Sequence, residues 1–171
     1  WGDEGKAPPA KIVEKAPVLL KMVKREAPPV APVQDLNFPT IEHARLANGI
    51  PVELARRTAI PKVSMALTFD AGNAADDPAH AGTQSLMLDA LEEGTTTRTA
   101  EQIAEEQERL GASIAAGANT DSSQVTMTAL TANLLPSLEL MADVARHPKF
   151  ADADVARVKN QRLADIAQEQ A

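Results

Sequence analysis

The 171-residue chain has no cysteine, no tyrosine and few aromatic residues of any kind, 2% of the sequence in all. Without cysteine there can be no disulfide, no thiolate metal site and no cysteine nucleophile. The compartment stays open, because a cysteine-free protein suits reducing and oxidising surroundings alike. With so few aromatics the core must be built from Leu, Val, Ile, Met and Ala, which bury less area per residue, so modest stability is expected if the chain stands alone. A basic excess is missing too, the net charge being -7. With no stripe of Lys and Arg and almost no stacking rings, no nucleic-acid partner is expected. No apolar run approaches the roughly 20 residues that cross a bilayer, so no membrane span is expected. The opening Trp-Gly-Asp-Glu-Gly-Lys lacks the basic start and apolar block of a signal peptide, and there is no initiator Met. The sequence reads as a piece of a longer protein.

Proline is plentiful instead, and unevenly placed. Residues 1–39 hold seven of the twelve prolines, with six Lys or Arg against five Asp or Glu, so residues 40–171 carry -8. Such proline density favours extended, linker-like backbone. The apolar patch Val18-Leu19-Leu20 with Met22 and Val23 is either a docking element or incidental to a linker. From residue 40 the periodicities sharpen. Ala44 and Leu46 alternate up to Asn48-Gly49, which predicts a two-residue hairpin turn, and Ile50, Val52 and Leu54 continue as a second strand. Val63, Met65, Leu67 and Phe69 share one face of a third. A helix is expected over residues 83–92, with Leu86, Met87, Ala90 and Leu91 inward. A second begins with a Thr99/Gln102 capping box, buries Ile103, Ala104 and Leu110, and stops at Gly111. Residues 112–130 return to strand character around an Asn119-Thr120-Asp121 turn. Leu134, Leu138, Met141 and Ala145 predict another helix, and Val155, Val158, Leu163 and Ile166 a last one. The order β-β-β-α-α-β-β-α-α predicts an α+β fold, with helices on one face of a mainly antiparallel sheet.

The segment Gly82 to Thr95 reads Gly-Thr-Gln-Ser-Leu-Met-Leu-Asp-Ala-Leu-Glu-Glu-Gly-Thr. Its frame fits the inverted zincin pattern His-x-x-Glu-His, but the three chemical positions hold Ser85, Leu88 and Asp89. Ser85 is not an ordinary neutral zinc ligand, and Leu88 cannot accept a proton. Asp89 could bind a cation, and Asp165 follows it 76 positions on (165 − 89). That pair is read either as solvated helix-flank carboxylates or as two metal ligands without a base. His43, His80 and His147 have no histidine four positions away, and His80 alone lies near the helix. A Ser85 nucleophile would need a neighbouring base, and none is evident.

Leu46 to Val52, Asp70-Ala71-Gly72-Asn73, Gly82 to Thr95, Leu110-Gly111-Ala112, Asp121 with the strand after it, and Pro148-Lys149-Phe150 recur in the order of one family. On these stretches the ordered part resembles the insulinase/pitrilysin family of zinc peptidases, which includes the mitochondrial processing peptidases. In active members two His of the helix and a distant acid bind zinc, and the Glu deprotonates the zinc-bound water. The resemblance implies that residues 40–171 form a partial, inactive peptidase-like module, preceded by a linker or docking segment over residues 1–39. It implies no catalytic residue, no metal and no cofactor in this chain, with zinc held by a catalytic half or subunit of the same family as partner. Asp165 then falls near the third-ligand position. It also implies that an edge strand including Ser113, Ala115, Ala116 and Gly117 contacts a peptide substrate, unless this is an ordinary inner strand. Many bacterial tandem relatives are periplasmic, so that compartment is expected. Two roles follow: a non-catalytic domain of a zinc metalloendopeptidase, serving as chamber wall and pairing surface, or a scaffold of the same fold with no proteolytic role.

Overall fold

The computed structural model describes residues 38–170. All of the proline-rich segment except Phe38 and Pro39, with its Val18-Leu19-Leu20 patch, therefore lies outside the described residues. Nine elements follow in the expected order: β1 (Ile41–Arg45), β2 (Pro51–Ala55), β3 (Lys62–Phe69), α1 (Thr83–Asp89), α2 (Ala100–Leu110), β4 (Ser113–Ala118), β5 (Ser123–Leu130), α3 (Leu134–Arg146) and α4 (Asp152–Glu169). β1 and β2 form a two-stranded hairpin, and β3, β5 and β4, in that order, form a three-stranded sheet. Every pairing is antiparallel.

The three-stranded sheet has one apolar face. Register sets Met65 and Ile114 beside Met127, and Leu67 and Ala116 beside Val125. Val125, Met127 and Ala129 are buried there with Leu88, Leu91, Ile103, Leu110, Leu140, Met141 and Val144. The other face shows Gln124, Thr126 and Thr128 with Ser64 and Thr68, the polar side of a one-sided sheet. α3 lies on β5, and α1 lies near β4 and α4. Removing the side chain of a fully enclosed residue such as Leu140 (0% exposed) costs about 2–5 kcal/mol, because a packed interior relaxes only partly around a cavity.

Local signals held where the physics is local. Thr99 Oγ1 accepts from Gln102 N at 3.2 Å and Gln102 Oε1 accepts from Thr99 N at 2.9 Å, so the capping box is complete. Gly111 ends α2 in the left-handed region at φ 60°. Five details differ from expectation, the first being Ala104 of α2, which is exposed while Ile103 and Leu110 are buried. The first hairpin turn is a longer loop: Gly49 N donates to Leu46 O and Leu46 N to Ile50 O, both at 2.9 Å. Gly49 alone there has positive φ, at 90°, and Asn48 Oδ1 instead accepts from Ile50 N at 3.2 Å. α1 ends at Asp89 and tightens into a 3-10 turn, Leu91–Glu93. Leu88, Ala90 and Leu91 are the buried residues here, and Leu86 and Met87 are half-buried. In α3 the deepest apolar residues are Leu140, Met141 and Val144, a stripe rotated from the expected one. In α4 only Val158 is buried, while Leu163 and Ile166 are exposed among the described residues.

A close backbone contact fixes the loop ahead of α1. Asn73 N donates to Asn119 O and Ala74 N to Thr120 O, both at 2.9 Å. A Cβ at Gly72 would stand 2.4 Å from Asn119 O and 2.5 Å from Ser122 N, both backbone atoms, so only glycine fits.

Candidate functional site

α1 carries the three degenerate positions, and its start is held from outside the helix. Asp76 accepts from Gly82 N at 2.7 Å and from Gln84 N at 3.0 Å, which satisfies two otherwise orphaned helix donors. Gln84 Nε2 then donates to Ser123 Oγ at 2.6 Å, and Ser123 Oγ donates to Ala71 O. Helix, loop and strand are thereby stitched together.

Each degenerate position has a different surrounding. Ser85 Oγ donates to Asn73 Oδ1 at 2.9 Å and so ties α1 to the loop that packs on the 119–122 turn. Leu88 is 4% exposed and belongs to the main apolar cluster. Asp89 is exposed and lines a small crevice between α1 and α4, together with Glu93, Val158, Gln161, Arg162 and Asp165. The structure thus brings Asp89 and Asp165 to one crevice. Arg162 lines it too, and Glu93 pairs with Arg157 of α4. These residues do not fit a catalytic zinc. Ser85 spends its hydroxyl proton on Asn73, Leu88 offers no donor atom and faces the core, and of the crevice carboxylates Asp89, Glu93 and Asp165, Glu93 is paired with Arg157 and the others share the space with Arg162, short of the three nitrogen or oxygen ligands such an ion takes. Among the described residues no group of three or more His, Asp or Glu is placed to hold a metal.

The histidines lie elsewhere. His43 sits 3.6 Å from Glu53 across the first hairpin, and His80 sits 3.5 Å from Asp77 in the turn before α1. Both are exposed and neither lines the crevice. His147, just past α3, has Nδ1 3.2 Å from Asp143 Oδ1.

Asp143 is the centre of a polar knot that sequence reasoning missed. It is 9% exposed. Its Oδ2 accepts from Thr95 Oγ1 at 2.8 Å, Thr97 Oγ1 at 2.9 Å and Arg98 Nη1 at 2.6 Å. Desolvation pushes this carboxyl up, but the hydrogen bonds from Thr95, Thr97, Arg98 and His147 together outweigh it and hold the group below its ordinary range. Arg98 also reaches Glu106 at 3.1 Å, and the bonds to Asp143 and Glu106 hold its guanidinium yet more firmly protonated. Thr96 N to His147 O at 2.9 Å and Lys149 N to Gly94 O at 3.0 Å complete the tie between the end of the motif segment and the end of α3. Apart from His147, four positions on from Asp143, no spacing rule announces these partners, which lie up to 48 positions apart.

Ser113, Ala115, Ala116 and Gly117 all belong to β4, which forms one edge of the three-stranded sheet. Beside it lies Glu92, half-buried in the 3-10 turn after α1. Burial pushes the Glu92 carboxyl up, the nearby backbone N–H of Ala116 acts the other way, and the neighbouring Glu93 adds to the rise.

A family model described as insulinase (peptidase family M16) matches residues 52–171. The chain belongs to the insulinase family. It is 26% identical over 127 residues to a Rickettsia bellii protein named an uncharacterized zinc protease, a match covering 74% of this chain and 31% of that one. It is 28% identical over 123 residues to the mitochondrial-processing peptidase subunit alpha of Solanum tuberosum, covering 72% and 24%. Among solved structures it resembles a peptidase M16 inactive domain from Pseudomonas fluorescens, with TM-score 0.71 and 30% identity over 76% of this chain and 32% of that one. A Helicobacter pylori protease shares the fold, with TM-score 0.64, 18% identity and coverage of 71% and 29%. The chain spans about a third of the length of these relatives or less. The α+β architecture of antiparallel strands with helices is that of the Pseudomonas fluorescens neighbour.

Proposed function

We propose that this insulinase-family chain is a non-catalytic part of a zinc metallopeptidase assembly, a wall and pairing module whose partner half or subunit holds the metal. Leu88 carries the reading: the position that supplies the water-activating carboxylate in the family's motif is an apolar side chain, 4% exposed, in the main core. Ser85 and Asp89 support it, the first tied to Asn73 and the second left with one carboxylate neighbour across the crevice. The likeness to a solved inactive domain of the family points the same way, and a relative named as one subunit of a processing peptidase fits a paired arrangement.

The purified chain is expected to carry no stoichiometric zinc by elemental analysis and to cleave no peptide, with or without added zinc. Mixed with its catalytic partner, it is expected to raise that partner's activity or melting temperature. A tightly bound equivalent of zinc in the isolated chain would refute the proposal.

A further inference from the structure

The turn between β1 and β2 holds Asn48-Gly49, and of the chain's asparagines only Asn48 precedes a glycine. Both residues are exposed. A side-chain amide next to a backbone nitrogen can close a cyclic imide with it, an intramolecular attack that needs no second molecule. Glycine obstructs that closure least, having no Cβ. The space is also open here, since a Cβ at Gly49 would meet nothing within 4 Å.

Two contacts in this turn favour the attack. Ile50 N donates to Asn48 Oδ1 at 3.2 Å. It polarises the side-chain carbonyl and meets the negative charge that gathers on that oxygen when its carbon is attacked. Arg45 Nη1 donates to Gly49 O at 2.6 Å, which sets a cation beside the glycine whose nitrogen must lose its proton. One contact opposes the attack: Gly49 N donates to Leu46 O at 2.9 Å. That bond belongs to a hairpin whose strands pair only with each other among the described residues, and two strands alone hold a turn weakly.

We propose that Asn48 is a self-modification site, where Gly49 N attacks Asn48 Cγ with the Ile50 N–H on the carbonyl oxygen and the Arg45 charge beside the nucleophile. Gly49 N gives its proton to solvent and bonds to Cγ. The Cγ–Nδ2 bond breaks, and the amide nitrogen leaves as ammonia. Water then adds to either carbonyl of the imide and opens it, to aspartate or to isoaspartate. The first product sets a carboxylate near Arg45. The second runs the main chain through Cγ and lengthens the turn that the Leu46–Ile50 pairing closes.

Peptide mass spectrometry on the 171-residue chain, aged at neutral pH, tests this. The mass gain of amide to acid is expected at Asn48 at least about tenfold faster than at Asn119, an exposed asparagine followed by threonine. Labelling by an isoaspartate methyltransferase should mark the aged chain. Arg45→Gln should slow the conversion about threefold in low salt, and Arg45→Lys should keep most of the rate. Molar salt, which screens the charge, should erase the difference between Arg45→Gln and the wild type. An Asn48 that converts no faster than Asn119 overturns the proposal, as does a converted chain without isoaspartate. Equal ageing of Arg45→Gln and the wild type in low salt overturns it too.

Discussion

The crevice between α1 and α4 and the knot at the end of α3 use the same side-chain types, carboxylates beside an arginine, with opposite results. In the crevice Asp89 is exposed and shares the space with Asp165 and Arg162 without a hydrogen bond to either. In the knot Asp143 is enclosed and receives three strong donors on one oxygen and a histidine on the other. The family's chemistry is expected at the first place, but this chain's polar precision is at the second. A motif's frame can outlive its chemistry because the frame is also a packing unit: Leu88 faces the core and Ser85 holds a loop, whatever the metal does.

Four substitutions test that contrast, and the largest effect belongs to Leu88. Leu88→Glu restores one letter of the motif but places a carboxylate in the core. It is expected to lower unfolding stability by more than about 3 kcal/mol, measured by urea midpoint. A variant as stable as the wild type would mean that this position opens to solvent. Next comes Asp143→Ala, which removes one of the two carboxylates that hold Arg98 and the acceptor of two threonine hydroxyls, and should cost about 2–4 kcal/mol. Because the folded state depresses the Asp143 pKa, its stabilisation is fully present above the ordinary carboxylate range and is lost as pH falls through the lower folded value. Glu92 has the opposite sign: its folded pKa is raised, so its relative contribution is present below the ordinary value and is lost as pH rises through the folded one. Acid titration of stability should therefore be steeper at its low end in the wild type than in Asp143→Asn, and Glu92→Gln should remove only the higher-pH component. Ser85→Ala should cost about 1 kcal/mol, one hydrogen bond to Asn73. Asp89→Ala should stay within about 0.5 kcal/mol, as for an exposed residue with no partner to lose. A larger loss at Asp89 than at Asp143 would reverse the contrast.

Much of the fold was legible because it rests on short-range rules. The alternation from Val63 to Phe69, the Thr99/Gln102 box and the stop at Gly111 each need only a few neighbouring residues. Where the sequence misled, a local rule met a nearby competitor. Asn48 was a good residue for positive φ, yet its side chain found the Ile50 N–H. In α1 the core takes Leu88, while the expected Leu86 and Met87 stay half-buried. The departures from the motif at Ser85, Leu88 and Asp89 could be read letter by letter. The contacts made there instead could not, because the Asp143 knot and the bond from Gln107 to β4 join elements whose proximity only the folded chain creates.

Gly72 carries a warning for mutational surveys. In a saturation library scored for expression or assembly, that column would show depletion for every side chain, the signature commonly taken to mark a functional hotspot. Its intolerance has a wholly different origin, since a methyl group there collides with the main chain of the 119–122 turn. Any map of this domain's working surface drawn from such scores must subtract position 72 first, or it will read a packing constraint as a contact.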